Sequence, residues 1–149
     1  MRPAPFMVYK GSAALRLQLL PAAPKEEGSD FAAEGCIMLE MADSNPGENR
    51  TYDWEKKIIF KMVSKDVGDV LAYLKKGAKG NVKLIHDPSK VPGADANQPK
   101  KILDINEHEG KWFFALVFGD RKVSIPVDLS EMVRIQQLLN EGVVKIYGW

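Results

Sequence analysis

The chain has 149 residues, of which 45% are apolar, 9% aromatic and 28% charged. That length suits one domain spanning residues 1–149 with a real core, and the apolar content excludes wholesale disorder. Twenty-one Lys/Arg oppose twenty Asp/Glu for a net charge of +1, so any basic binding surface must be local. The single cysteine, Cys36, excludes an internal disulfide framework and a Cys-based zinc site, and fits a reducing compartment. No apolar run approaches the ~18–20 residues of a membrane span. The opening Met1-Arg2-Pro3-Ala4-Pro5 has no secretory or transit character. A soluble intracellular domain without a membrane partner is the expectation.

Residues 7–20 read as one strand, with Tyr9, Ala13, Leu15, Leu17 and Leu19 on its apolar face and Lys10, Ser12, Arg16 and Gln18 on the other. A loop rich in Pro, Gly and charge covers 21–34, and a second strand covers 35–42. Residues 51–63 alternate again: Tyr52, Trp54, Ile58, Phe60 and Met62 share one face, Asp53, Glu55, Lys57 and Lys61 the other. Thirteen residues exceed the usual strand of ~5–6, which predicts a bend or bulge inside this stretch. Ser64 then offers an N-cap, and Val67, Val70, Leu71 and Leu74 give a helix stopped at Gly77.

The second half repeats the plan. Strands are predicted over 81–86, 100–107, 111–118 and 121–127, with a loop over 87–99 and tight connections at Glu109-Gly110 and Gly119-Asp120. Asp128 and Glu131 have the form of a capping box, followed by a helix with Met132, Ile135, Leu138 and Leu139 buried and Asn140–Gly142 ending it. Strands, helix, strands, helix is not βαβ alternation. It predicts an α+β domain of antiparallel sheets.

Catalytic chemistry is hard to find. His86 and His108 share no metal-ligand spacing with each other or with Cys36. The Gly77-Ala78-Lys79-Gly80 segment follows a helix, whereas a phosphate loop precedes one. The Asp128/Glu131 pair is accounted for by helix capping. No enzyme, metal or cofactor is expected. For binding there is more material. Lys56, Lys57 and Lys61 lie on or beside an aromatic stretch, and Lys75, Lys76, Lys79, Lys83, Lys90, Lys100 and Lys101 follow. A single strand of nucleic acid needs cations for phosphates and flat faces for bases, which Tyr9, Tyr52, Trp54, Phe60, Trp112 and Phe114 could supply. The same aromatics on an apolar strand face also read as core, and scattered lysines as a solvated surface.

Tyr9-Lys10-Gly11-Ser12-Ala13-Ala14-Leu15 resembles the Lys-Gly-Lys-Ala-Ala-Leu signature of the Whirly single-stranded-DNA-binding proteins of plants. Similar in the same order are Tyr52-Asp53-Trp54 running on through Phe60, the helix from Ser64, and Ile85-His86-Asp87-Pro88. The strand from Lys100, Ile125-Pro126 and Gly148-Trp149 complete a match over residues 6–149. The resemblance implies two antiparallel four-stranded sheets packed roughly perpendicular, with two helices, as a duplicated β-β-β-β-α unit. It also implies a homotetramer assembled through its helices, and sequence-tolerant binding of single-stranded DNA along the sheets in genome maintenance, repair or transcriptional regulation.

Carried onto this chain, the resemblance makes Tyr9, Lys10, Gly11, Ser12 and Ala13 of the signature the candidate DNA-binding residues, with Tyr52, Trp54 and Phe60 as stacking faces and Lys57 and Lys61 as phosphate partners. Ser12 stands where the family has its second Lys, which is tied to assembly beyond the tetramer; such larger particles are not expected. The lack of a plant-type leader or C-terminal extension suggests a compact prokaryotic or phage relative. Cytoplasm or nucleoid is the expected location, with a processed organellar form as the alternative. RNA on the same surface and a scaffold binding protein through its sheet edges remain as competing readings.

Overall fold

The computed structural model describes residues 2–25, 27–48 and 50–149. Each half contributes one antiparallel sheet and one helix. Strands β1 (Phe6–Tyr9), β2 (Ala13–Leu20), β3 (Cys36–Asp43) and β4 (Ile58–Met62) form the first sheet in that order, and α1 (Ser64–Lys75) follows. Strands β5 (Asn81–His86), β6 (Lys101–His108), β7 (Lys111–Phe118) and β8 (Arg121–Val127) form the second, followed by α2 (Leu129–Tyr147). The two four-stranded sheets and two helices are the expected α+β architecture. Among the described residues no helix is long and apolar enough to cross a membrane.

Register places the side chains. Val8, Leu15, Leu39 and Phe60 lie in line across the first sheet or one pair away, and all four are fully buried. They meet Leu84, Leu103, Phe114, Leu116 and Ile125 of the second sheet in one continuous core with Val67, Ile135 and Ile146 of the helices. Each large apolar side chain so enclosed contributes about 1.5–3 kcal/mol by leaving water. Trp112 and Phe114 belong to this interior, not to a surface.

Four local expectations are corrected. Residues 7–20 are a hairpin, because the chain reverses at Lys10-Gly11-Ser12, where Lys10 N–H donates to Ala13 O at 2.9 Å. The reversal flips the parity: Tyr9 pairs with Ala14 and faces outward, while Ala13 and Leu15 face the core. The 51–63 stretch, expected as one strand with a bend or bulge, is instead interrupted: Tyr52 bridges to Ser44, a 3-10 turn covers Trp54–Lys56, and only then does β4 begin. Val63, not Ser64, caps α1. Asp66 reaches back to accept from Val63 N–H at 3.0 Å, and its carboxylate sits favourably at the positive helix end.

The fourth correction is the length of α2, which passes straight through Asn140–Gly142 to Tyr147. Glycine is a poor helix residue, but here the helix lies on β3: a Cβ at Gly142 would come within 2.8 Å of Ile37 Cδ1. Packing against the sheet overrides the local signal. Gly148, at φ 78°, then ends the helix. The β2–β3 loop satisfies two of the last carbonyls, Ala22 N–H bonding Lys145 O at 3.0 Å and Gly35 N–H bonding Ile146 O at 2.9 Å.

The other end of α2 carries the predicted capping box. Asp128 Oδ1 accepts from Glu131 N–H at 2.8 Å, and Glu131 Oε1 accepts from Asp128 N–H at 2.9 Å. The backbone bond from Glu131, aided by nearby Lys10, holds the Asp128 carboxyl below its ordinary value of 3.8. A pKa depressed by folding stabilises the fold above the unfolded value and loses that contribution as pH falls through the folded one. Asp87 and Glu107 are depressed in the same sense, by bonds from Ser89 and Gly110. Stability to urea is therefore expected to fall on going from about pH 6 to about pH 3. Asp128→Asn, which keeps a capping oxygen without the charge, should show a smaller fall than the unaltered chain.

Candidate nucleic-acid interface

Two loops meet at one end of the first sheet. The β1–β2 turn is tied to the start of the β3–β4 loop by Ser44 N–H donating to Ser12 O at 3.0 Å. The Tyr52 hydroxyl donates to Lys10 O at 2.7 Å, clamping the far end of that loop to the same turn. Between them lies a groove of about 1260 Å³ lined by Tyr9, Lys10, Gly11, Asn45, Arg50 and Tyr52 among others. That volume exceeds the ~300–1,000 Å³ of a small-molecule cleft. At Gly11 an added Cβ would meet nothing within 4 Å, so the backbone lies bare on the groove wall.

Tyr9 and Tyr52 supply its aromatic lining. Their ring centroids are 5.6 Å apart and their planes tilted by 35°. Tyr9 is 58% exposed, so much of this residue is open to solvent. Next to this pair Ala14 and Ala42, which pair directly across β2 and β3, lie on the same face of the sheet as Tyr9 and are fully buried. Further along β3 lie Glu40 and Met38, opposite Ile59 and Lys61 of β4. From Ala42 to Met38 is four residues of strand, about 13 Å.

The candidate residues therefore fall into two groups. Tyr9, Lys10, Gly11, Ser12 and Tyr52 come together at the groove. Ala13 and Phe60 do not: both are fully buried, and Phe60 stacks on the His86 ring at 4.0 Å inside the fold. Phe60 sits on the inward parity of β4, so it offers no face to a base. Trp54 is half-buried on the 3-10 turn after Tyr52, not on a strand.

The three candidate cations differ in their partners. Lys10 Nζ lies 2.8 Å from Glu131 Oε1 and 3.8 Å from Asp128 Oδ2. Lys57 Nζ lies 3.1 Å from Glu40 Oε1, a carboxylate also approached by Arg16 at 3.8 Å. Lys61 is exposed and, unlike the other two, makes no ion pair among the described residues. Its charge also acts on the neighbouring Cys36 thiol, but burial is the larger effect and pushes that thiol up, keeping it protonated and inert. Sequence reasoning missed Arg50 and Asn45, which line the groove from a segment that reads only as a turn. It also missed the Arg16–Glu40–Lys57 cluster, whose members lie on three different strands or loops.

Fold and groove together define an α+β binding module with an aromatic, partly cationic concavity at one sheet end. A family model described as Whirly transcription factor matches residues 8–138, and the chain belongs to the Whirly family. It is 27% identical over 157 aligned positions to the single-stranded DNA-binding protein WHY1, chloroplastic, of Solanum tuberosum, covering 97% of this chain and 54% of that protein. It is 26% identical to the single-stranded DNA-binding protein WHY2, mitochondrial, of Arabidopsis thaliana, covering 98% of this chain and 63% of the relative. The chain thus spans between half and two thirds of the length of these two relatives.

Solved structures agree on the fold. The plant transcriptional regulator PBF-2 superposes with a TM-score of 0.81 at 26% identity, over 98% of this chain and 83% of that one. WHY3 from Arabidopsis thaliana gives 0.82 at 25% identity, over 99% and 90%.

Proposed function

We propose that this protein binds single-stranded DNA with little regard to sequence, protecting or organising exposed strands in replication, recombination, repair or transcription. The observation that carries the reading is the Tyr9/Tyr52 pair, one ring more than half exposed, on the wall of an open groove. Bases stack on such faces whatever their identity, because every base has a π-face. Duplex DNA hides those faces, so unpaired strands are the preferred ligand. Arg50 in the groove and Lys61 along the sheet meet phosphates. Relatives named as single-stranded DNA-binding proteins support the same assignment. The protein works by binding and not by catalysis. It acts where single strands are exposed on a genome, in the cytoplasm or nucleoid or, as the chloroplastic and mitochondrial relatives suggest, within an organelle.

Assembly is part of the proposal. The outer side of α2 exposes Leu129, Val133 and Val144, an apolar row on the helix face turned away from its buried stripe of Met132, Ile135 and Leu139. Burying that row against other copies gives a homotetramer, which light scattering should register as four times the chain mass; a monomer mass at micromolar concentration contradicts it. The binding claim is tested by fluorescence anisotropy with a labelled single strand of about 30 nucleotides, against duplex and RNA of the same sequence, at two salt concentrations. Tight single-strand binding that weakens with salt is expected, with duplex weaker. Equal or tighter binding of the RNA would move the assignment to RNA, and binding of none of the three would leave a protein scaffold.

A further inference from the structure

The most basic-looking residue of the signature is already spoken for. Lys10 directs its ammonium to the first turn of α2, 2.8 Å from Glu131 and 3.8 Å from Asp128. Those two carboxylates are themselves fixed by the capping box, so the acceptor pair is rigid. The carbonyl of Lys10 meanwhile receives the Tyr52 hydroxyl at 2.7 Å, and its N–H closes the turn onto Ala13. One residue thus joins three parts: the turn through its backbone, the second aromatic ring through its carbonyl, and the helix through its side chain.

Resting on the reading above, we infer that Lys10 is a positioning residue and not a phosphate contact. It pins the β1–β2 turn to the N-terminus of α2 and so sets where Tyr52 stands relative to Tyr9. An ammonium held by two carboxylates has its charge cancelled locally, and it releases no counterion from DNA when the strand arrives. Losing its side chain frees the turn on which both rings depend and leaves Glu131 and Asp128 without their cation, but it removes no charge that meets a phosphate.

The two roles give opposite results in single-strand affinity. With Lys10→Met, positioning predicts an affinity about 3- to 10-fold weaker and a salt slope unchanged. A phosphate contact predicts a slope reduced by about 0.7, the value for one contact on a single strand. Glu131→Gln, which retains a capping oxygen, separates them by sign. Positioning predicts binding equal to or weaker than the unaltered chain. Tighter binding would show that Glu131 had been competing with DNA for Lys10. A reduced slope in Lys10→Met, tighter binding in Glu131→Gln, or unaltered affinity in Lys10→Met each overturns the inference. If the unaltered chain binds no strand, the functional reading falls, and amide hydrogen exchange decides the positioning claim alone. Faster exchange at Lys10 and at Glu131 in Lys10→Met then supports it, and unchanged exchange overturns it.

Discussion

Phe60→Ala is expected to lower stability by about 3–5 kcal/mol, the usual cost of emptying an aromatic site in a closed core. Phe60 has no exposed surface, pairs with Leu39 across β3 and stacks on His86 at 4.0 Å. His86 is in turn 2.9 Å from Asp66, which holds the start of α1, so the cavity opens where sheet, helix and the end of β5 converge. Urea unfolding reads the loss directly. Binding measured on the fraction that stays folded should be unchanged, because Phe60 faces away from the groove. A variant with normal stability and impaired binding would mean that the aromatic sits on the surface.

The second large effect is on affinity. Tyr9→Ala removes the most accessible ring of the groove and should weaken single-strand binding by about 1–3 kcal/mol, roughly 5- to 150-fold, if one base rests there. Its exposure means that stability should scarcely change. Tyr9→Phe keeps the ring and should keep the affinity. Tyr52→Phe is a different case, since it removes the hydroxyl bonded to Lys10 O and loosens the turn as well. Anisotropy titrations of the three variants, each checked by its unfolding midpoint, distinguish stacking from support.

The contrast between Phe60 and Tyr9 shows what local pattern can and cannot tell. Both are aromatic residues on stretches that alternate in sequence. Alternation places Phe60 with Ile58 and Met62 on one face, and the structure buries all three. The same parity rule puts Tyr9 with Leu15 and Leu17, and fails, because the chain turns at Lys10-Gly11-Ser12. A lone glycine in a run of small residues is a weak turn signal, and the register change it makes moves a side chain from core to solvent.

Signals confined to a few residues were the readable ones. The Asp128/Glu131 cap, the stop at Gly77, the breaks at Gly110 and Gly119 and the resulting strand count can all be read from spacing and turn chemistry. The end of α2 could not, since Gly142 marks a boundary by propensity and a contact by packing. Nor could the partners of the lysines. Lys10 meets Glu131 from the opposite end of the chain, and Lys57 meets Glu40 across the sheet. Sequence reveals that a residue is cationic; only the fold reveals whether that charge is already neutralised.

Photo-crosslinking tests the groove assignment most directly. A single strand carrying 5-iododeoxyuridine, irradiated in complex with the protein and mapped by mass spectrometry, should form adducts at Tyr9 or Tyr52, with weaker adducts at half-buried Trp54. Adducts confined to the second sheet, at Phe113 or Phe118, would place the strand on the other half of the molecule and contradict the assignment.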